Sequence, residues 1–104
     1  MPGQFVKVAT LDNLAPDTVT VVDVLNRRLC LINSGGKVVA LAAECTHAGC
    51  DLGSDGEVDG DELECGCHGS RFRLATGEVT NGPARRPLQT YEVKIEESDV
   101  LVSI

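Results

Sequence analysis

The sequence has no tryptophan and few aromatic residues: one tyrosine and two phenylalanines among 104 residues. A core must therefore be built mainly from valine, leucine, isoleucine and alanine. Basic residues are also scarce, with 9 lysines and arginines against 16 aspartates and glutamates, which gives a formal net charge of -7. This charge disfavours nucleic acid and anionic membranes and favours a basic protein partner, although it is also compatible with a role in solubility alone.

No apolar run is long enough to cross a bilayer. The first residues, MPGQFVKVAT, lack the basic, apolar and small-residue regions of a signal peptide. We therefore expect a soluble, cytoplasmic protein that is monomeric in isolation and folds as a single domain over residues 1–104. Five cysteines in such a chain indicate metal or redox chemistry rather than a disulfide scaffold.

Short β-branched and apolar runs dominate the two ends of the chain and predict an all-β fold, a small antiparallel sandwich or barrel. A helical turn is predicted near Leu11–Leu14. The predicted strands are Gln4–Ala9, Val19–Val24, Arg28–Ile32, Lys37–Leu41, an alternating strand over 91–95, and Val100–Ile104.

The middle of the chain, about residues 43–87, is rich in glycine, proline and charge. Only short strands are predicted there, at Glu57–Val58, Asp61–Glu64 and Arg71–Leu74, with a turn at Asp59-Gly60. Because this segment offers little apolar surface, a bound metal centre is a plausible organiser. We expect a metal-binding subdomain of two loops.

Two stretches in that segment, CTHAGC (45–50) and CGCHGS (65–70), each contain two cysteines and a histidine. Cys45 and His47 are followed after seventeen residues by Cys65 and His68, which gives the pattern C-x-H-x17-C-x2-H. Structural zinc also uses two cysteines and two histidines, but usually as a cysteine pair followed by a histidine pair. One cysteine and one histidine per loop suit a binuclear cluster with thiolates on one iron and imidazoles on the other.

This pattern resembles the Rieske [2Fe–2S] motif, in which Cys45 and Cys65 would bind the inner iron and His47 and His68 the outer iron, near the surface. The resemblance implies a Rieske fold, one [2Fe–2S] cluster per chain and one-electron transport from a reductase to a terminal oxidoreductase such as an oxygenase. No catalytic residues are predicted. The alternatives are a Rieske subunit of a larger oxidoreductase or high-potential carrier, a zinc-stabilised module and a thiol redox sensor.

Cys50 and Cys67 occupy matched places in the two loops but are not in the ligand pattern. The resemblance to high-potential Rieske proteins implies a Cys50–Cys67 disulfide, whereas many Rieske ferredoxins of oxygenase systems lack one. Cys30 lies in the apolar run RLCLI and is predicted to be a buried small hydrophobe.

The same resemblance gives roles to residues around the cluster. Ser70 would donate a hydrogen bond to a bridging sulfide or would satisfy backbone groups of its turn, and Phe72 stands where high-potential relatives carry a tyrosine. Asn81-Gly82-Pro83-Ala84 would form a proline loop that covers the cluster, or a simple turn. Leu52 and Leu74 would seal its apolar side or belong to the plain core. The acidic segment 51–64, which lacks lysine and arginine, would steer a basic partner or form a solvated hairpin.

Overall fold

A computed structural model describes residues 4–44, 51–67, 69–82 and 84–104, without the side chains of Ser54 and Asp55. Within these ranges the chain forms eleven strands, one short helix and a 3-10 turn at Leu11–Asn13. The helix α1 spans Leu52–Asp55, between β4 and β5. The strands are β1 (Phe5–Thr10), β2 (Val19–Val24), β3 (Arg27–Ser34), β4 (Lys37–Ala42), β5 (Gly56–Asp59), β6 (Glu62–Cys65), β7 (Arg71–Arg73), β8 (Val79–Asn81), β9 (Thr90–Tyr91), β10 (Val93–Glu96) and β11 (Asp99–Ser103).

The strands of the described residues form three antiparallel sheets. The first sheet has the order β1-β11-β10, the second β2-β3-β4-β9 and the third β5-β6-β7-β8. The strands predicted at Arg28–Ile32 and Lys37–Leu41 form the β3–β4 hairpin, with Ser34 paired to Lys37 and both intervening glycines at positive φ. The prediction of an all-β fold is confirmed.

The second sheet lies in the middle and is covered on both faces. Along β3, Leu29 and Leu31 pack with Val100 and Val102 of the first sheet. The alternate residues Cys30 and Ile32 pack in a second core cluster that includes residues of the third sheet. Because side chains on a strand alternate between faces, burial of all four explains why RLCLI is a continuous apolar run.

The prediction of one alternating strand over residues 91–95 is wrong. Thr90–Tyr91 pairs with β4 in the second sheet, whereas Val93–Glu96 pairs with β11 in the first sheet. Glu92 lies between the two strands, and its carbonyl accepts a hydrogen bond from Ser103. The alternating residues therefore belong to two successive strands in different sheets. Ile95, which the alternation places on a buried face, is 43% exposed.

The third sheet lies within the predicted subdomain of residues 43–87. Its first hairpin turns at Gly60 and Asp61, one residue later than predicted, and Gly60 adopts a φ of 62°. The short elements α1 and β8 were not predicted from the sequence. In the described part of the chain, no helix is long and apolar enough to span a membrane.

Candidate metal centre

Backbone hydrogen bonds close the necks of both cysteine–histidine loops. The first loop begins after Glu44 and ends before Asp51, which form an antiparallel bridge. Beside this bridge, the Leu52 amide donates to the Ala43 carbonyl at 2.7 Å. In the second loop, the Cys65 amide donates to the Ser70 carbonyl at 2.7 Å. Each loop therefore starts and ends at a fixed point of the scaffold.

The two necks are neighbours because the short helix α1 and the pairing of β5 with β6 bring them together. Asp51 ends the first loop, and α1 leads directly to Gly56, whose Cα pairs with that of Cys65. The Asp51 carboxylate accepts a hydrogen bond from the Gly53 amide at 2.9 Å and thereby caps α1. Its other oxygen lies 2.9 Å from Nη2 of Arg28 on β3. This arrangement holds the exit of the first loop against the start of the second.

Cys65 is the predicted ligand that lies among the described residues. It is 1% exposed and packs in the same apolar cluster as Leu52, Leu63 and Phe72. The other three predicted ligands, Cys45, His47 and His68, lie outside the described residues. A buried cysteine at the entrance of a closed loop fits a sulfur ligand that is shielded from water.

The turn that carries Cys67 is tight. The Gly69 amide donates to the Cys65 carbonyl at 2.9 Å, and Gly69 adopts a φ of 78°, which favours glycine. Cys67 is exposed within this turn. Its predicted disulfide partner, Cys50, lies outside the described residues.

Ser70 is fully buried, and its Oγ accepts a hydrogen bond from the Ala84 amide at 3.0 Å. Ala84 ends the predicted proline loop, of which Gly82 is exposed and Pro83 lies outside the described residues. At the start of that loop, Asn81 Nδ2 donates to the Gly69 carbonyl at 3.5 Å. The sequence predicted a role for Ser70 but not this contact, because its partner is fourteen residues away.

The predicted apolar residues around the site belong to the core between the second and third sheets. Leu52 and Phe72 are fully buried, and Leu74 is 3% exposed. Phe72 pairs with Leu63 on β6 and with Val79 on β8. Cys30 lies in the same cluster, and burial raises the pKa of its thiol to about 12, with the Asp51 charge adding to the rise and Arg28 opposing it.

The acidic segment 51–64 is largely paired with arginines. Arg71 on β7 contacts Asp59 at 2.6 Å, Glu62 at 2.7 Å and Glu64 at 3.6 Å. Hydrogen bonds from Arg71 and from Thr80 lower the pKa of the Glu62 carboxyl.

The neighbouring arginine completes this arrangement, since Arg73 lies 3.3 Å from Asp61. Sequence reasoning missed these pairs, although arginines at alternate positions of β7 and carboxylates at alternate positions of β6 share one face of the sheet. The surface beside the loops is therefore of mixed charge.

A cleft of about 500 Å³ lies against the neck of the first loop. The polar side chains that line it are those of Arg27, Arg28, Glu44, Asp51 and Tyr91. Arg28 is already paired with Asp51, and Arg27 Nη1 lies 3.5 Å from the Tyr91 hydroxyl. Among the described residues, no group of three or more histidine, cysteine or acidic side chains is arranged to hold a metal ion.

Comparison with known proteins agrees with the loop pattern. Residues 4–92 match the family model described as Rieske [2Fe-2S] domain. The chain is 34% identical over 98 residues to the biphenyl dioxygenase ferredoxin subunit of Pseudomonas sp. (strain KKS102), which covers 94% of this chain and 90% of that protein. It is 38% identical over 77 residues to the cytochrome b6-f complex iron-sulfur subunit of Chlorobaculum thiosulfatiphilum, over 73% of this chain but 40% of that protein.

The fold is also shared with solved structures. The ferredoxin of carbazole 1,9a-dioxygenase from Nocardioides aromaticivorans IC177 aligns with a TM-score of 0.89 and 33% identity. The alignment covers 96% of this chain and 97% of that ferredoxin. The likeness therefore extends over nearly the whole of both chains and is not confined to the cysteine–histidine loops.

Proposed function

The chain belongs to the Rieske [2Fe–2S] domain family, and we propose that it serves as the ferredoxin of an oxygenase system. Its cofactor is a [2Fe–2S] cluster, and it carries electrons rather than catalysing a reaction itself. In this role it takes one electron from a reductase and passes it to a terminal oxygenase. The names and nearly full coverage of the dioxygenase ferredoxins support this choice of partners.

We assign Cys45 and Cys65 to one iron of the cluster and His47 and His68 to the other. The observation that carries this assignment is the placement of Cys65. It is buried at the neck of the second loop and pairs with Gly56, which lies five residues after Asp51 at the end of the first loop. Two thiolates and two imidazoles are a donor set that Rieske clusters use. A single zinc ion is less well supported, because each loop supplies one ligand of each kind.

When bound, the cluster accepts and releases one electron, at a potential that in this family lies between about −150 and +300 mV. The protein contributes a dry, fixed environment. Leu52 and Phe72 bury the Cys65 side of the site, and the paired necks limit the movement of the loops. Such rigidity keeps the rearrangement on electron transfer small.

We also propose that Cys50 and Cys67 form a disulfide that ties the two loops together. Support comes from their matched positions in the sequence and from the place of Cys67 in the turn between Cys65 and Gly69. Thiol titration of the denatured protein checks this proposal. With the disulfide intact, only Cys30 and the two ligand cysteines should react, and reaction of all five cysteines would contradict it.

A second candidate function is that of a Rieske subunit in a larger oxidoreductase. The similarity to the iron-sulfur subunit of a cytochrome b6-f complex favours it, although this chain matches only 40% of that protein. Copurification of a large subunit with the tagged chain from its host would support this candidate. Cell fractionation and light scattering would in turn check the predictions of a cytoplasmic location and a monomeric state.

Electron delivery is tested directly by rapid mixing. The chemically reduced holoprotein is mixed without oxygen with the oxidised terminal oxygenase of the biphenyl dioxygenase system and, separately, with a c-type cytochrome. We expect reduction of the oxygenase, with a cluster-free Cys65→Ser preparation as the control. Reduction of the cytochrome alone would contradict the oxygenase role and favour the high-potential alternative.

A further inference from the structure

Among the described residues, Ser70 is the one polar residue that is buried, and its hydroxyl has a specific partner. It is fully buried, and its Oγ lies 3.0 Å from the Ala84 amide nitrogen that donates to it. A buried backbone N–H without a partner would be costly, so this bond holds Ala84 in place. Ser70 is also fixed through its own carbonyl, which accepts from the Cys65 amide.

Both ends of the segment 81–84 are joined to the residues that follow His68. At one end, the Asn81 side chain donates to the Gly69 carbonyl at 3.5 Å. At the other end, the Ala84 amide donates to Ser70. The Asn81 contact is exposed and long and is therefore weak, whereas the Ser70 contact is buried and short. Ser70 is thus the stronger of the two attachments.

We propose that Ser70 is a positioning residue that fastens Ala84, the last residue of the predicted proline loop, to the second ligand loop and so fixes that end of the proline loop. This inference rests on the proposed ligation by Cys65 and His68. It adds a second task to the predicted bond from Ser70 to the cluster. The two tasks are compatible, since a hydroxyl has two acceptor lone pairs and one proton to donate.

The two tasks are also coupled. The Ala84 amide occupies one lone pair of Oγ and leaves the hydroxyl proton free to donate, which would be to a sulfur of the cluster if the family resemblance holds. Hydrogen bonds in a chain polarise one another, so acceptance from Ala84 strengthens donation by Ser70. Loss of the Ala84 contact should therefore lower the potential of the cluster.

Amide hydrogen exchange at Ala84, read by mass spectrometry on the holoprotein, tests the fastening. In the unmodified protein we expect the Ala84 amide to be protected relative to the exposed Arg85 amide. In Ser70→Ala, loss of one buried hydrogen bond should speed exchange at Ala84 about tenfold, and the reduction potential should fall. Asn81→Ala is the matched control and should change both quantities little. Ser70→Thr, which keeps the hydroxyl, should restore protection.

The outcomes separate the inference from the proposed function. An unprotected Ala84 amide in the unmodified holoprotein would overturn the fastening even if Ser70→Ala failed to fold. A lower potential in Ser70→Ala with unchanged exchange at Ala84 would mean that Ser70 acts on the cluster alone. Absence of the EPR signal of a reduced Rieske cluster from the unmodified protein would instead overturn the proposed function, together with the link between Ser70 and a cluster.

Discussion

Two cysteines of the same core cluster, Cys30 and Cys65, differ in whether their position in the chain suits a metal ligand. Cys30 lies in the middle of β3, and burial holds the pKa of its thiol near 12, so that it stays protonated and unreactive. Cys65 lies at the end of β6, where the chain turns into the second loop. Burial is nearly equal for the two residues. Position at the neck of a loop therefore distinguishes the proposed ligand from the core residue.

Substitution of these two cysteines gives a matched pair of variants. Cys65→Ser should lose the visible absorption of the cluster and its iron, because one thiolate ligand is removed. Cys30→Ala should keep both, at a cost in unfolding free energy of roughly 2 kcal/mol or less. Iron analysis and absorption spectra of anaerobic preparations check both results. Retention of the full cluster in Cys65→Ser would contradict the ligand assignment.

The side chain at position 72 is expected to influence the potential. Phe72 is fully buried and cannot donate a hydrogen bond. In Phe72→Tyr, a hydroxyl that donates to a cysteine sulfur would stabilise the reduced cluster and raise the reduction potential. Redox titration of this variant with its cluster intact measures the shift, and an unchanged potential would exclude such a bond.

At the scale of elements, Arg71 joins the strands of the third sheet. Its guanidinium lies between the carboxylates of Asp59, Glu62 and Glu64, which belong to the β5–β6 hairpin. Surface ion pairs usually contribute little one by one, but three carboxylates around one arginine form a network. The network holds the hairpin against β7, which directly follows Ser70.

The lowered pKa of Glu62 predicts a pH dependence of stability. In the unfolded chain a glutamate has a pKa of about 4.3, whereas in the folded protein the Arg71 hydrogen bond lowers the pKa of Glu62. Its contribution to stability is complete above the unfolded pKa and is lost as the pH falls through the folded pKa. Urea unfolding between pH 6 and pH 3 should therefore show that the unfolding free energy of Glu62→Gln falls less with decreasing pH than that of the unmodified protein. Identical slopes would mean that this pair contributes nothing.

Gly77 lies in the turn between β7 and β8 and contacts Leu88, in the segment that leads into β9. Its φ is 78°, and a Cβ built there would lie 2.2 Å from the Leu88 carbonyl oxygen. The Leu88 amide in turn donates to the Gly77 carbonyl at 2.8 Å. Because the obstacle is backbone, it cannot move aside as a flexible side chain would.

Alanine substitution at Gly77 should therefore be costly. Gly60 is the matched control, since it has a φ of 62° but open space around its Cβ position. We expect Gly60→Ala to cost about 1 kcal/mol of unfolding free energy and Gly77→Ala about 3 kcal/mol or more. Chemical denaturation of both variants gives the comparison, and equal costs would show that the Leu88 contact does not constrain this site.

At the scale of the whole molecule, the second sheet supports the other two on its opposite faces. The first sheet shares one core cluster with it, and the third sheet shares the other. The residues that flank the cysteine–histidine loops, Ala43, Leu52 and Cys65, lie in the core cluster on the third-sheet side. Beside these flanking residues, Arg28, Arg71 and Arg73 pair with carboxylates of the acidic segment, so that its surface is of mixed charge. Steering of a basic partner by the acidic segment stays a prediction.

The sequence predicted those parts of the molecule that depend on local pattern. Val19–Val24 was predicted with its observed bounds, because β-branched residues and a following turn define it. The strand over residues 91–95 was wrong, since the crossing at Glu92 is set by contacts with β4 and β11. The loop spacing identified the cofactor. The contact between Ser70 and Ala84 and the pairs of Arg71 depend on tertiary proximity, which spacing does not encode.

The most direct test of the central claim is an EPR-monitored redox titration of the anaerobically purified protein. We expect a Rieske signal that appears on one-electron reduction, in the lower part of the family range, as a ferredoxin that serves an oxygenase requires. A signal already present with mild donors would instead indicate a high-potential carrier or subunit. Absence of any cluster signal, with zinc bound in its place, would contradict electron transfer as the function of this chain.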